Sequence, residues 1–271
     1  MPRSVAVMSA ANRLNGVRVL ITGATSGLGA AMAAALVHAG ARVMVTSRDQ
    51  DRAEATSTDL GTSAIPCRLD VRDERSVAAC LDRAHQAWGG VDVLVNNAGI
   101  GMRTVNPRFL SDPQPFWSVE PGSFRDVVDT KLVGCFLMAR AVVPSMLQAG
   151  GGRVVNISMN ERTMTRRGFV PYGPAGAGVE ALSRVMAADL AGSSVNVNIL
   201  LPGGTGTRTG MVPEDAPDDV QARLQDPAVM GPPIVWLASD QAAGVHDQRI
   251  VATEFNAAAP PPYPGSVGTL R

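Results

Sequence analysis

The chain has 271 residues, 45% of them hydrophobic, which is enough for a sizeable core and too much for a disordered protein. Its 24 Lys and Arg balance its 24 Asp and Glu, so it carries no electrostatic footprint for nucleic acid or an acidic membrane surface. Cys67, Cys80 and Cys135 are odd in number and lack metal-ligand spacing, so they read as small buried thiols of a reducing, cytoplasmic compartment, with no metal site.

In chain order, residues 1–13 have neither the apolar core nor the cleavage pattern of an export signal and read as a flexible lead-in. Apolar, β-branched runs then alternate with amphipathic stretches. Val17–Thr22, Arg42–Thr46, Ala64–Leu69, Val91–Val95, Arg153–Ser158 and Val195–Leu200 predict buried strands. Leu28–His38, Arg75–Ala87, Phe124–Leu147 and Tyr172–Leu190 predict helices. Such alternation implies one domain, a parallel sheet between two helical layers. Two segments break the rhythm, 99–123 (rich in Pro and aromatics) and 203–227 (rich in Gly, Thr and Pro). Loops of that length in a compact domain are often lids or binding loops. Met102, Phe109, Phe116 and Trp117, with Arg103 and Arg108, lie in the first; Met211 and Val212 lie in the second. They suit either an apolar substrate wall or ordinary packing. Residues 257–271 read as an extended tail, no stretch is long and apolar enough to span a membrane, and His38, His85 and His246 have no metal constellation around them.

The first strand runs into Thr22-Gly23-Ala24-Thr25-Ser26-Gly27-Leu28-Gly29 and then a helix. Glycine permits positive φ and a close approach of backbone to a ligand, and a helix N-terminus offers free N–H groups to an anion. After the first strand of an α/β chain this turn points to a dinucleotide pyrophosphate.

On these residues the sequence resembles the short-chain dehydrogenase/reductase family, over roughly residues 14–255. Thr22 to Gly29 match its TGxxxGxG fingerprint, Asn96-Asn97-Ala98-Gly99 its NNAG marker, Asp70-Val71 its adenine-contacting pair, and Pro202-Gly203 its PG turn. The resemblance implies an α/β fold, a Rossmann-type doubly wound parallel sheet in three layers (α/β/α). It also implies a nicotinamide dinucleotide held by Gly23, Thr25, Ser26, Gly27, Leu28 and Gly29, by Asp70 and Val71, by Asn97, Ala98 and Gly99, and by Pro202, Gly203 and Thr207. Binders of NAD(H) place an acid at the end of the second strand; here stand Ser47 and Arg48, which suit the 2′-phosphate of NADP(H). The other reading of Arg48 is a turn cap or a partner for Asp49.

The resemblance further implies a tyrosine acid–base, a lysine four residues later that lowers its pKa, a serine that holds the substrate oxygen, and an asparagine on the preceding helix. Tyr172 fits the first role, but the position four later is Gly176. Ser158 precedes Tyr172 by 14 residues rather than the usual 13, and Met159 occupies the usual spacing; Ser158 either keeps its role through a longer loop or simply ends the strand. The asparagine position is Lys131, which either reaches Tyr172 and partly supplies the missing cation or extends to solvent. The expected function is an NADP(H)-dependent oxidoreductase interconverting a ketone and a secondary alcohol on a fairly hydrophobic small molecule. The alternatives are a non-redox step (isomerisation, dehydration or cyclisation) on the same scaffold, or a cofactor-binding subunit without catalysis. The resemblance also implies that the helices beginning at Phe124 and Tyr172 pair across subunits, giving a homodimer or homotetramer.

Overall fold

The computed structural model describes residues 14–204, 206–213 and 216–260. Seven parallel strands form one sheet: β1 (Arg18–Ile21), β2 (Arg42–Ser47), β3 (Ala64–Arg68), β4 (Val93–Asn96), β5 (Gly152–Ile157), β6 (Val195–Leu201) and β7 (Arg249–Val251), in the order β3-β2-β1-β4-β5-β6-β7. Both faces of the sheet are covered, which explains the nearly continuous apolar runs. On β1, Val19 and Ile21 enter a core with Met32, Leu36 and Ile234, while Leu20 enters the opposite core with Val77, Leu81 and Met138. The helical layers contain α1 (Gly27–His38), α2 (Gln50–Leu60), α3 (Glu74–Trp88), α4 (Pro121–Val128), α5 (Gly134–Gln148), α7 (Tyr172–Asp189) and α9 (Gly231–Ala238), with single turns at α6 (Glu161–Met164) and α8 (Asp218–Gln221). The three-layer, single-domain α/β architecture is the one expected, and the strand order reverses between β1 and β4, opening a crevice at their C-terminal ends.

The sequence patterns pass over three elements. α2 is polar and buries only Ala53 and Ser57; α9 begins with Pro232 and Pro233, read as a break although proline suits a first helical turn; β7 is three residues long. The predicted helix Phe124–Leu147 is helical throughout but not α-helical throughout. A π-helical turn, Asp129–Val133, separates α4 from α5. Such turns fit an extra residue into a helix and re-aim side chains, and this one carries Lys131. The expected tails fall largely outside the described residues, and Ala257–Pro260 are exposed.

Candidate active site

The glycine turn is built by close packing. Gly23 and Gly27 have φ of 66° and 54°, and a Cβ on Gly29 would collide with the carbonyl oxygen of Gly23 and with Asn97 Nδ2. Asn97 Nδ2 donates to the carbonyls of Thr22 (3.0 Å) and Gly23 (2.9 Å), and Thr22 Oγ1 accepts from the amides of Asn97 and Ala98, both at 2.9 Å. These bonds stitch the segment Asn97–Gly99 to the turn. Asp49 and Asp73 cap α2 and α3 through their side chains, whereas Ser26 makes no such bond to α1, whose first turn holds no acid. The first amides of α1 are therefore left for an anion. Thr25 is half-buried, Ser26 exposed, and Leu28 packs on the core.

At the end of β2, Ser47 Oγ accepts from the Asp49 amide at 3.2 Å. Arg48 is exposed and makes no ion pair among the described residues, with Asp49 or any other acid. Arg68 Nε donates to the Arg48 carbonyl at 3.3 Å, which brings a second guanidinium to the same edge. Asp70 accepts from Arg72 Nε (3.0 Å) and Nη2 (2.7 Å), and that guanidinium holds its carboxyl below the usual range. Val71 packs where a Cβ on Gly134 would come within 2.5 Å of it. The Pro202 carbonyl accepts from the Thr253 amide at 3.2 Å, Gly203 has φ of 82°, and buried Thr207 pairs with Gln225. The loop they begin arches back over the turn, so that a Cβ on Gly27 would come within 3.0 Å of Thr209 Cγ2. The residues fit a dinucleotide: bare amides at the pyrophosphate position and unpaired arginine at the ribose edge.

Tyr172 is the first residue of α7. Its hydroxyl donates to Met211 Sδ at 3.8 Å, and its ring packs on a cluster of Met102, Phe109 and Phe169. Burial pushes its phenol up. Lys131 lies over that ring with Nζ 5.4 Å from the centroid; it is 8% exposed, so it does not extend to solvent. Among the described residues no acceptor takes a hydrogen bond from its ammonium. Burial lowers it to about 8, against the opposing pull of Cys135 and Glu180. The space beside Gly176 is filled by Met159: a Cβ on Gly176 would lie 2.5 Å from Met159 Cε and 3.0 Å from Sδ. Met159, at the usual serine spacing, and Gly176, at the expected lysine position, are thus packed against each other.

Ser158, the expected holder of the substrate oxygen, bonds to a carboxylate. Its Oγ donates to Glu180 Oε1 at 2.6 Å, Glu180 accepts from Arg249 Nε at 3.0 and 3.1 Å, and Arg249 Nη2 reaches the Met159 carbonyl at 3.1 Å. With its proton directed there, Ser158 anchors the end of β5. Phe116 and Trp117 are 67% and 75% exposed, stacked edge-on against each other, and so form no wall of the site. Arg108 pairs with Asp112 at the surface, while Arg103 donates to the Gly210 carbonyl at 2.8 Å and ties the two long loops together. No group of three metal-ligating side chains forms among the described residues, and no described helix is long and apolar enough to cross a membrane.

Sequence reasoning missed Glu180 and Arg249. A signal existed for Glu180, a carboxylate on the inner face of α7 eight residues after Tyr172. A stronger one concerned Lys131, the single lysine among 24 Lys and Arg residues.

The short chain dehydrogenase family profile matches residues 17–218. The chain is 33% identical over 246 residues to a 3-oxoacyl-(acyl-carrier-protein) reductase of Vibrio harveyi, covering 88% of this chain and 96% of that protein. It is 34% identical over 238 residues to a cis-4-hydroxycyclohexanecarboxylate dehydrogenase of Sinomonas cyclohexanicum, covering 83% and 90%. A crystal structure of 3-ketoacyl-(acyl-carrier-protein) reductase from Brucella melitensis, complexed with NADH, superposes with a TM-score of 0.78 at 28% identity, covering 88% and 97%. The fold, the glycine turn and these likenesses agree: the chain belongs to the short-chain dehydrogenase/reductase family.

Proposed function

We propose that this chain is an NADP(H)-dependent oxidoreductase that reduces a ketone to a secondary alcohol, with Tyr172 as proton donor and Lys131 as the neighbouring cation. The observation that carries the reading is the buried ammonium 5.4 Å over the Tyr172 ring, in a site whose usual lysine position is Gly176. Bound NADPH supplies the hydride. The chain's own groups manage the proton. A phenol raised by burial is protonated at neutral pH, so it suits donation to a carbonyl oxygen, the reductive direction, better than abstraction from an alcohol. Lys131 then lies within range to stabilise the phenolate left behind.

Unpaired Arg48, with Arg68 beside it, supports a 2′-phosphate and hence NADP(H) over NAD(H). The loop around Met102, Phe109 and Met211 supports an apolar substrate. Exposed Val133, Phe136 and Leu147 along α5 and its lead-in, with Val185 on α7, support a homodimer or homotetramer through those helices. Three unpaired, buried cysteines suit a reducing cytoplasm. The Met159–Gly176 packing favours a second reading, a non-redox step on a carbonyl compound, because both missing groups serve hydride chemistry in relatives. NADPH oxidation with ethyl acetoacetate and with cyclohexanone tests the first reading. Tyr172→Phe should lower the rate by about 100-fold or more. Tight NADPH binding with neither ketone reduced would overturn it.

A further inference from the structure

We propose that Lys131 is also a carbonyl-capturing amine, forming an imine with an aldehyde or ketone seated against Tyr172. The inference rests on the reading that a carbonyl compound binds at Tyr172, and it adds a covalent step that needs no dinucleotide.

A lysine acts as a nucleophile when it is neutral, unpaired and beside a proton donor. The amine has no hydrogen-bond acceptor among the described residues and lies beside a phenol, and at pH 8 about half of it is neutral. Glu180, the nearby carboxylate that attracts Lys131, is already engaged by Arg249 at 3.0 and 3.1 Å and by Ser158 at 2.6 Å. Cys135, four residues on, is held as a thiol because burial pushes it up to about 12, so it offers no anion. The pull of Cys135 and Glu180 therefore does not offset burial, which lowers the amine to about 8. Tyr172, under it, keeps its proton for the same reason. Beside Lys131 a small cavity is bordered by Thr22, Asn96, Cys135, Ile157 and Val179, and the buried Oδ1 of Asn96 has no hydrogen-bond partner. An unsatisfied acceptor in such a cavity suits the water that condensation expels.

In the step, the Lys131 nitrogen lone pair attacks the carbonyl carbon. The C=O π pair moves to oxygen, which takes the Tyr172 proton. The carbinolamine then loses that oxygen as water, with a second proton from solvent, as the nitrogen lone pair forms C=N. The nitrogen gives one of its two hydrogens to solvent and keeps the other, which leaves a protonated imine. The Tyr172 phenolate can next take a proton from the adjacent carbon, giving an enamine. Nothing is oxidised or reduced.

The test uses the full chain without NADP(H), at pH 8, with cyclohexanone and sodium cyanoborohydride, followed by peptide mapping by mass spectrometry. Because Lys131 is the only lysine, the N-terminal amine is the only other amine to form an imine. We expect one reduced adduct on Lys131. It should form roughly a hundredfold faster in the native chain than in the chain unfolded in urea, where the amine returns to its ordinary pKa. Cyclohexanone should also exchange its α-hydrogens with deuterated water, seen by NMR, and lose this exchange in Lys131→Arg, which keeps the charge but forms no imine. An adduct confined to the N-terminus, equal or slower labelling of Lys131 in the native chain, or exchange unchanged in Lys131→Arg would each overturn the proposal. Parallel NADPH assays separate the two ideas. Reduction without adduct sinks the imine alone, and adduct without reduction sinks the reductase alone.

Discussion

A primary ammonium held near pH 8 by burial destabilises the native state at neutral pH, because the unfolded chain keeps the same lysine near its ordinary 10.5. The sign follows from proton counting. Below pH 8 both states hold the proton and the penalty is full, about 3 kcal/mol at 1.4 kcal/mol per pKa unit. From about 8 up to 10.5 the native state releases its proton first, so stability rises with pH over that window. Lys131→Met should therefore melt on the order of 5–10 °C higher than the wild type at pH 7 by calorimetry, with the gap closing towards pH 10.5. The wild-type ketone-reduction rate should fall above about pH 8 as the cation beside Tyr172 is lost. A lower melting point for Lys131→Met would mean that the amine supports the fold, and a rate flat to pH 10 would remove it from the proton chemistry.

At the level of elements, α7 packs beside the end of β5 through Gly176 and Met159. The two share one space, so a larger residue at 176 needs a smaller one at 159. Gly176→Lys by itself should lose stability, by roughly 1–3 kcal/mol as an overpacked site does, and gain little activity. Met159→Ser combined with Gly176→Lys should restore the packing and raise ketone reduction at least about tenfold over the single variant, as measured by NADPH consumption. Equal activities would show that the two positions are not coupled. How much of this could be read from the chain follows from the physics of each part. The glycine turn, the NNAG segment and the first six strands were legible, because backbone conformation and burial on both faces restrict which residues fit there. Gly176 and Lys131 were visible as departures. The burial of Lys131 was not, because a one-residue π turn leaves no mark on hydrophobic periodicity and decides which way the lysine points. The Ser158–Glu180 bond was not legible, because the spacing to Tyr172 does not reveal a carboxylate eight residues beyond it on the same helix.

For the whole molecule, the sheet gathers groups far apart in sequence at one end: the turn after β1, the ribose edge after β2 and Tyr172 after β5. A ligand across that end binds only the folded chain, so it should raise the melting temperature, with about 2.7 kcal/mol of stabilisation at a hundredfold excess over Kd. NADPH should give the larger shift than NADH. Arg48→Glu, at an exposed position, should reverse that order without altering the melting point of the free chain. Equal shifts for both dinucleotides would remove Arg48 from phosphate recognition. The reversal of strand order has one more consequence. Between α3 and β4 the chain passes through Gly89 and Gly90, and every strand before that turn lies on one side of the β1–β4 seam while every strand after it lies on the other. Cutting there would give two fragments, one with the phosphate-binding turn and the other with the phenol and the amine. Co-expressed, they should rejoin edge to edge along β1 and β4, so that recovered turnover serves as a reporter of reassembly.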